Sequence, residues 1–142
     1  MAFPAKILLE IVTPDRSLIR EEVDEIVVPG SEGYLGVLPG HTPLLSTLKV
    51  GELWFRQGQE KHYLAIAFGF VEVLPDRVTV LAQVGERAQD IDVARAERAR
   101  QRAEERLARP TQAADLDMER ARIALMKSLI RLQVATRART RA

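Results

Sequence analysis

Short apolar runs punctuated by turn dipeptides fill the first part of the chain. Lys6 to Val12, Ser17 to Val28, Thr42 to Lys49, Gly51 to Arg56, Lys61 to Ala67, Phe68 to Leu74 and Arg77 to Ala82 are rich in Val, Ile, Leu and aromatic residues. Pro14-Asp15, Pro29-Gly30, Pro39-Gly40, Gln57-Gly58 and Pro75-Asp76 break them with the residues that favour turns. Where polar and apolar positions alternate, as in Glu72-Val73-Leu74 and Val78-Thr79-Val80, the pattern is that of half-buried strands. Many short strands at such spacing predict a small antiparallel sandwich or barrel. No helical crossover of adequate length is present to support a parallel sheet.

Beyond Gly85 the period changes to that of helices. Asp90 is placed to cap a first helix running to about Arg109, with Asp92 in its first turn favouring the N-terminal dipole. Pro110-Thr111 interrupts it, and Asp115 is placed to cap a second helix through Met118 and Leu125 to about Thr136. So short a connection predicts an antiparallel helical hairpin. Ala96, Ala99, Ala103 and Leu107 share one face of the first helix, where small side chains let another backbone come close. The second helix carries two neighbouring apolar stripes, Ala121, Leu125, Leu129 and Leu132, then Ile123, Met126, Ile130 and Val134. That surface is wider than one thin partner helix needs, so part of it is expected to meet the sandwich or another protein. The expected fold class is therefore α+β, mainly β in its N-terminal part: a β-sandwich over residues 1–86, then a helical hairpin over residues 87–142.

Composition sharpens this division. Residues 1–86 hold 7 Lys and Arg against 12 Asp and Glu, a net of −5, and residues 87–142 hold 14 against 8, a net of +6. All aromatic residues lie at or before Phe70 and all glycines at or before Gly85. A basic helical part suggests an acidic or polyanionic partner. Its 142 residues are enough for one core without staples, and with no Cys and only His41 and His62 there is no structural zinc site, thiol nucleophile or redox pair. No run approaches the ~18 apolar residues of a membrane span, and Lys6 and Glu10 leave no readable signal peptide. The chain is expected in the cytoplasm, or at a membrane only through partners.

Few motifs carry chemistry. Gly30 to Gly36 is glycine-rich but lacks the Gly-Lys-Ser/Thr end of a phosphate loop, and Glu32 would repel phosphate, so its glycines read as turn residues of a loop. His41 has no serine nucleophile or carboxylate orienter indicated beside it, and His62 occupies a polar strand position. Nothing looks catalytic, and no metal site is expected. Asp90 to Ala96 and Asp115 to Ala121 share the pattern Asp, apolar, Asp, apolar, any, Arg, Ala, which fits two helix starts using one capping solution. Arg120 to Ala142 has seven basic residues and no acid, so a tail docking on nucleic acid is an alternative. No aromatic stacking platform accompanies that charge, which argues against a nucleic-acid partner.

The run GSEGYLGVLPGHTPLLSTLKVGEL from Gly30 to Leu53 closely resembles the epsilon subunits of bacterial F-type ATP synthases. The ILLEIVTPDR opening and the DIDVARA helical start extend the likeness over essentially the whole chain. The resemblance implies a ten-stranded β-sandwich followed by a helical hairpin. It implies a noncatalytic rotor-stalk subunit bound to the gamma subunit and resting on the membrane c-ring, coupling proton flow to ATP synthesis at the cytoplasmic face of the bacterial plasma membrane. It also implies a brake on ATP hydrolysis, with the helices reaching an acidic segment of beta in the alpha/beta catalytic head. No cofactor is required, and ATP is implied as a regulatory ligand.

Residue by residue, the resemblance puts Glu32, Gly33, Tyr34, Gly36 and His41 at the stalk- and ring-facing loops. Ile91 to Ala96 matches the family's pattern Ile/Leu-Asp-x-x-Arg-Ala, and the implied ATP set is Glu86, Asp92, Arg95, Ala96, Arg102, Lys127 and Arg131. Lys127 stands where that pattern has arginine, keeping the charge but losing the bidentate fork that suits phosphate. By spacing alone, Arg95 and Arg102 share a face of the first helix, and Arg120, Lys127 and Arg131 share a sector of the second, where they form the expected inhibitory basic face. A solvated charged face is the bland reading of the same spacing.

Overall fold

A computed structural model describes residues 4–109 and 115–139. Two compact units are present, Met1–Arg87 and Ala88–Ala142. The first is a seven-stranded sheet in the order β2-β1-β7-β6-β5-β3-β4. The strands are β1 Ile7–Val12, β2 Ser17–Val23, β3 Glu25–Gly30, β4 Gly33–Val37, β5 Leu44–Gln57, β6 Glu60–Val73 and β7 Arg77–Arg87. Alternation dictates which side each strand buries: in β1 Ile7, Leu9 and Ile11 are buried, while Leu8, Glu10 and Val12 are half-buried. All seven strands contribute to one buried cluster, among them Val23, Ile26, Val37, Leu53, Phe55, Leu64, Val71 and Val80. The sheet therefore curls over a single core as a sandwich, and its distant strands β2 and β5 meet where Gln57 donates to the Glu21 side chain and the Glu22 carbonyl.

Four departures from the sequence reading have clear causes. The run Ser17 to Val28 is two strands, because the chain turns at Asp24. There the Asp24 carboxylate takes hydrogen bonds from Lys6 Nζ (2.6 Å) and the Gly58 amide (2.7 Å), pinning the corner to the β5–β6 turn. Pro29-Gly30 ends strand β3 instead of forming a turn, and β4 uses the Gly33–Val37 stretch that composition assigns to a loop. The four runs from Thr42 to Leu74 become two 14-residue strands paired along their whole length, so seven long strands stand where the resemblance implied ten. Finally, β1 and β7 pair in parallel, from Leu8 with Arg77 to Val12 with Leu81, so the sheet is not purely antiparallel. The crossover rule concerns successive strands. Here the connection between the pair is the rest of the sheet.

Asp24 is also an acid-sensitive clamp. The Lys6 ammonium and the Gly58 amide, with Arg56 nearby, hold its carboxyl below its ordinary range. A depressed folded pKa gives stability that is fully present above the unfolded value of about 3.9 and is lost as pH falls through the folded value. Thermal melts followed from about pH 5 to pH 2.5 should therefore fall less steeply in Asp24→Asn than in the parent chain. Parallel acid limbs would show that the clamp contributes nothing to folding.

In the second unit a 3₁₀ turn at Ala88–Asp90 leads into α1, Val93–Ala108, and α2 spans Asp115–Arg139. The cap of α1 is Asp92, not Asp90: its Oδ1 accepts from the Arg95 amide at 3.0 Å, and Asp90 belongs to the preceding turn. The side chain of Asp115, expected to cap α2, lies outside the described residues. Arg100 pairs with Glu97 and Glu104 one turn to either side, which raises its pKa and lowers that of Glu97. The buried positions are small, Ala96 and Ala103 on α1 and Ala121, Ser128 and Ala135, each seven apart, with Val134 on α2. Small side chains allow the two backbones to approach, so Ser128 is buried, bonding its own helix at the Leu125 carbonyl, while Leu129 and Met126 stay 47% and 41% exposed. Of the predicted stripes, only Ala121 and Val134 are buried.

Candidate functional site

Two regions hold the residues singled out by sequence. One lies in the β3–β4 and β4–β5 connections. Gly30 pairs with Gly33 across a two-residue turn, and a Cβ on Gly30 would stand 2.7 Å from the Gly33 carbonyl, so the turn cannot widen to take a side chain. The Ser31 amide donates to the Thr47 carbonyl at 2.9 Å and the two hydroxyls lie 2.6 Å apart, which ties the turn to β5. Tyr34 crosses back over β5: its hydroxyl accepts from the Glu52 amide at 3.2 Å, and Lys49 Nζ sits 5.2 Å from its ring centroid. Gly51 leaves the room this requires, since a Cβ there would be 2.7 Å from the Tyr34 hydroxyl.

The result is a cleft of about 690 Å³ lined by Glu32, Gly33 and Tyr34 on one side and by Leu44, Leu45 and Thr47 on the other. Gly36 and His41 line a second, smaller hollow with Leu38. The five loop residues are thus brought to neighbouring hollows flanking β4 rather than to one pocket. His41 Nδ1 donates to the Thr42 carbonyl at 2.7 Å. Sequence reasoning passed over Leu38, Leu44 and Leu45, of which Leu45 is 69% exposed. The available signal was the adjacent pair Leu44-Leu45 at the start of a strand, where successive side chains point to opposite faces and one of them must leave the core.

The second region is the helical unit. Asp92, Arg95, Ala96 and Arg102 all stand on or at the cap of α1, Arg120, Lys127 and Arg131 on α2, and Glu86 on β7 of the other unit. Arg95, Arg102 and Arg120 are exposed, and Lys127 and Arg131 are half-buried. The Asp92 carboxylate already serves as the helix cap, so the motif pairs it with a backbone amide and not with the Arg95 guanidinium. Ala96 is fully buried, a packing position in this conformation and not an open gap for a base. Among the described residues no cluster of His, Asp and Glu could hold a metal ion, and no helix is long and apolar enough to cross a membrane.

Comparison with known proteins matches these two units to two domains. Residues 6–88 match the β-sandwich domain of the ATP synthase delta/epsilon chain, and residues 89–136 match its long α-helix domain. The chain belongs to the ATP synthase delta/epsilon family as an epsilon subunit. It is 51% identical to ATP synthase epsilon chain 2 of Syntrophotalea carbinolica over 132 residues, 93% of this chain and 95% of that one. It is 53% identical to the epsilon chain of Syntrophobacter fumaroxidans over 130 residues, covering 92% and 96%. Among solved structures, the fold is shared with a chain of the Euglena gracilis mitochondrial ATP synthase, with a TM-score of 0.78 at 24% identity over 99% of this chain and 84% of that one. The epsilon-type sandwich is thus the unit with the loop hollows, and the epsilon-type helices carry the arginines.

Proposed function

We propose that the chain is the noncatalytic central-stalk subunit of a proton-translocating ATP synthase. In this reading the sandwich binds the gamma subunit and rests on the c-ring, transmitting the rotation that couples proton flow to ATP synthesis. The observation that carries it is the match of both units, end to end, to epsilon chains sharing about half their residues with this one. The loop end supports the sandwich's role, because Glu32, Tyr34 and His41 stand among exposed leucines and so offer a mixed polar and apolar surface. Attachment to the membrane then runs through the complex, on its cytoplasmic face.

The helical unit is the regulatory element in this proposal. Its α2 face of Arg120, Lys127 and Arg131 meets an acidic segment of beta in the alpha/beta head and restrains ATP hydrolysis, because desolvation strengthens such contacts. ATP acts as a regulatory ligand, held within the helical unit by Asp92, Arg95, Arg102, Lys127 and Arg131, while buried Ala96 contributes by keeping the helices close. The test is capture of the tagged full chain from detergent-solubilised membranes of a strain expressing it. Gamma and the c-ring are expected to come with it in a salt-resistant complex. Capture of neither, from membranes that still hold an intact synthase, would sink the stalk assignment.

A further inference from the structure

The ends of α1 and α2 that face each other form a cleft of about 630 Å³, within the range of small-ligand sites. Arg102 and Arg106 reach it from α1, Arg109 from the residue that caps α1, and Arg120 from α2. Arg102 and Arg106, four residues apart, share one face of α1, and Arg109 follows at its C-terminal end. Among the described residues, four guanidiniums line the cleft against the carboxylates of Glu105 and Asp117, an excess of positive charge. Elsewhere in this unit Arg100 is neutralised by Glu97 and Glu104 and Arg122 by Glu119, while Arg95 and Arg98 stand apart from this cleft. Among the described residues, none of the four cleft arginines forms such an ion pair. Four guanidinium forks thus line one space, none of them in an ion pair with Glu105 or Asp117.

The geometry points to a binding site for an oligophosphate chain in this cleft, separate from the ATP set and independent of it except for Arg102. Guanidinium forks pair bidentately with phosphate oxygens, and a chain of several phosphates supplies enough charge and length to engage forks from both helices at once. A single monovalent anion would satisfy one or two. Such a ligand also bridges α1 to α2, so it binds the closed hairpin and favours it.

The probe is inorganic tripolyphosphate, which lacks a nucleoside, titrated calorimetrically into the full chain carrying Arg95→Ala, which weakens the ATP set. Binding is expected to persist in that chain and to weaken at least about tenfold when Arg106→Ala and Arg109→Ala are added. Arg106→Lys with Arg109→Lys keeps the charge and should fall between, because the fork is lost. Unchanged thermal melts would confirm that these exposed substitutions leave the fold intact. ATP added to the chain with intact cleft arginines should compete with tripolyphosphate if the cleft accepts the phosphates of a nucleotide, and leave it bound if only a free chain fits. The proposal is overturned if tripolyphosphate does not bind, if Arg106 and Arg109 do not affect it, or if Arg98→Ala on the same helix weakens it equally, the mark of nonspecific attraction.

Discussion

Replacing Gly69 by alanine is expected to destabilise the β-sandwich by about 2–5 kcal/mol, the range of combined backbone strain and overpacking. Gly69 sits in the middle of β6 with φ at 127°, directly after Phe68 at 62°, and it faces Leu48 on one side and Ala82 on the other. A Cβ there would lie 2.0 Å from the Leu81 carbonyl oxygen and 2.9 Å from the Ala82 Cα. Both obstacles are backbone of a paired strand, so relief requires parting β6 from β7, which together carry Val71, Val73, Val78 and Val80 into the core. For a domain of this size the midpoint of thermal unfolding should drop by roughly 10 °C or more. Gly58→Ala is the comparison: its φ is 62° but nothing lies within 4 Å of the new methyl, so only the left-handed backbone preference, about 1 kcal/mol, is lost. Equal melting of the two variants would mean that β7 does not press on Gly69.

ATP binding to the full chain should weaken at least about tenfold, ~1.4 kcal/mol, in Arg95→Ala and again in Arg102→Ala, a modest loss for a charge-assisted contact. The two guanidiniums stand seven residues apart on α1, while Lys127 and Arg131 come from α2. A ligand that needs both helices can bind only the closed hairpin and shifts the population by its differential affinity, which is how ATP would release the brake. Arg95→Ala is a clean probe because Asp92 caps the helix through the backbone amide of residue 95, which alanine retains. The helix start should survive while the phosphate contact goes. Calorimetry that detects no ATP binding, or binding indifferent to both substitutions, would leave Ile91 to Ala96 as a capped helix start and nothing more.

The sequence by itself determined the division into strands and helices, the family, and the buried side of the strands whose polarity alternates. Val73 is buried beside exposed Glu72, Val78 and Val80 are buried on either side of half-buried Thr79, and a period of two assigns such faces without knowledge of any partner. The small-residue face of α1 was legible for the same reason, with Ala96 and Ala103 buried as their spacing requires. What only the tertiary structure decided depends on atoms remote in sequence. Strand β4 is rich in glycine and reads as loop, and it is a strand because β3 supplies its hydrogen bonds from Ile26 to Gly30. The parallel pairing of β1 with β7 joins the first and last strands inside the sheet, Leu8 meeting Arg77, a partner remote in the chain. Ser128 is buried and Leu129 exposed because α1 rewards close backbone approach over side-chain size, a preference that hydrophobicity along α2 does not encode. The arginine cleft follows the same logic: its charges lie 18 residues apart in the chain, from Arg102 to Arg120, and only the reversal of direction between two helices faces them across one space.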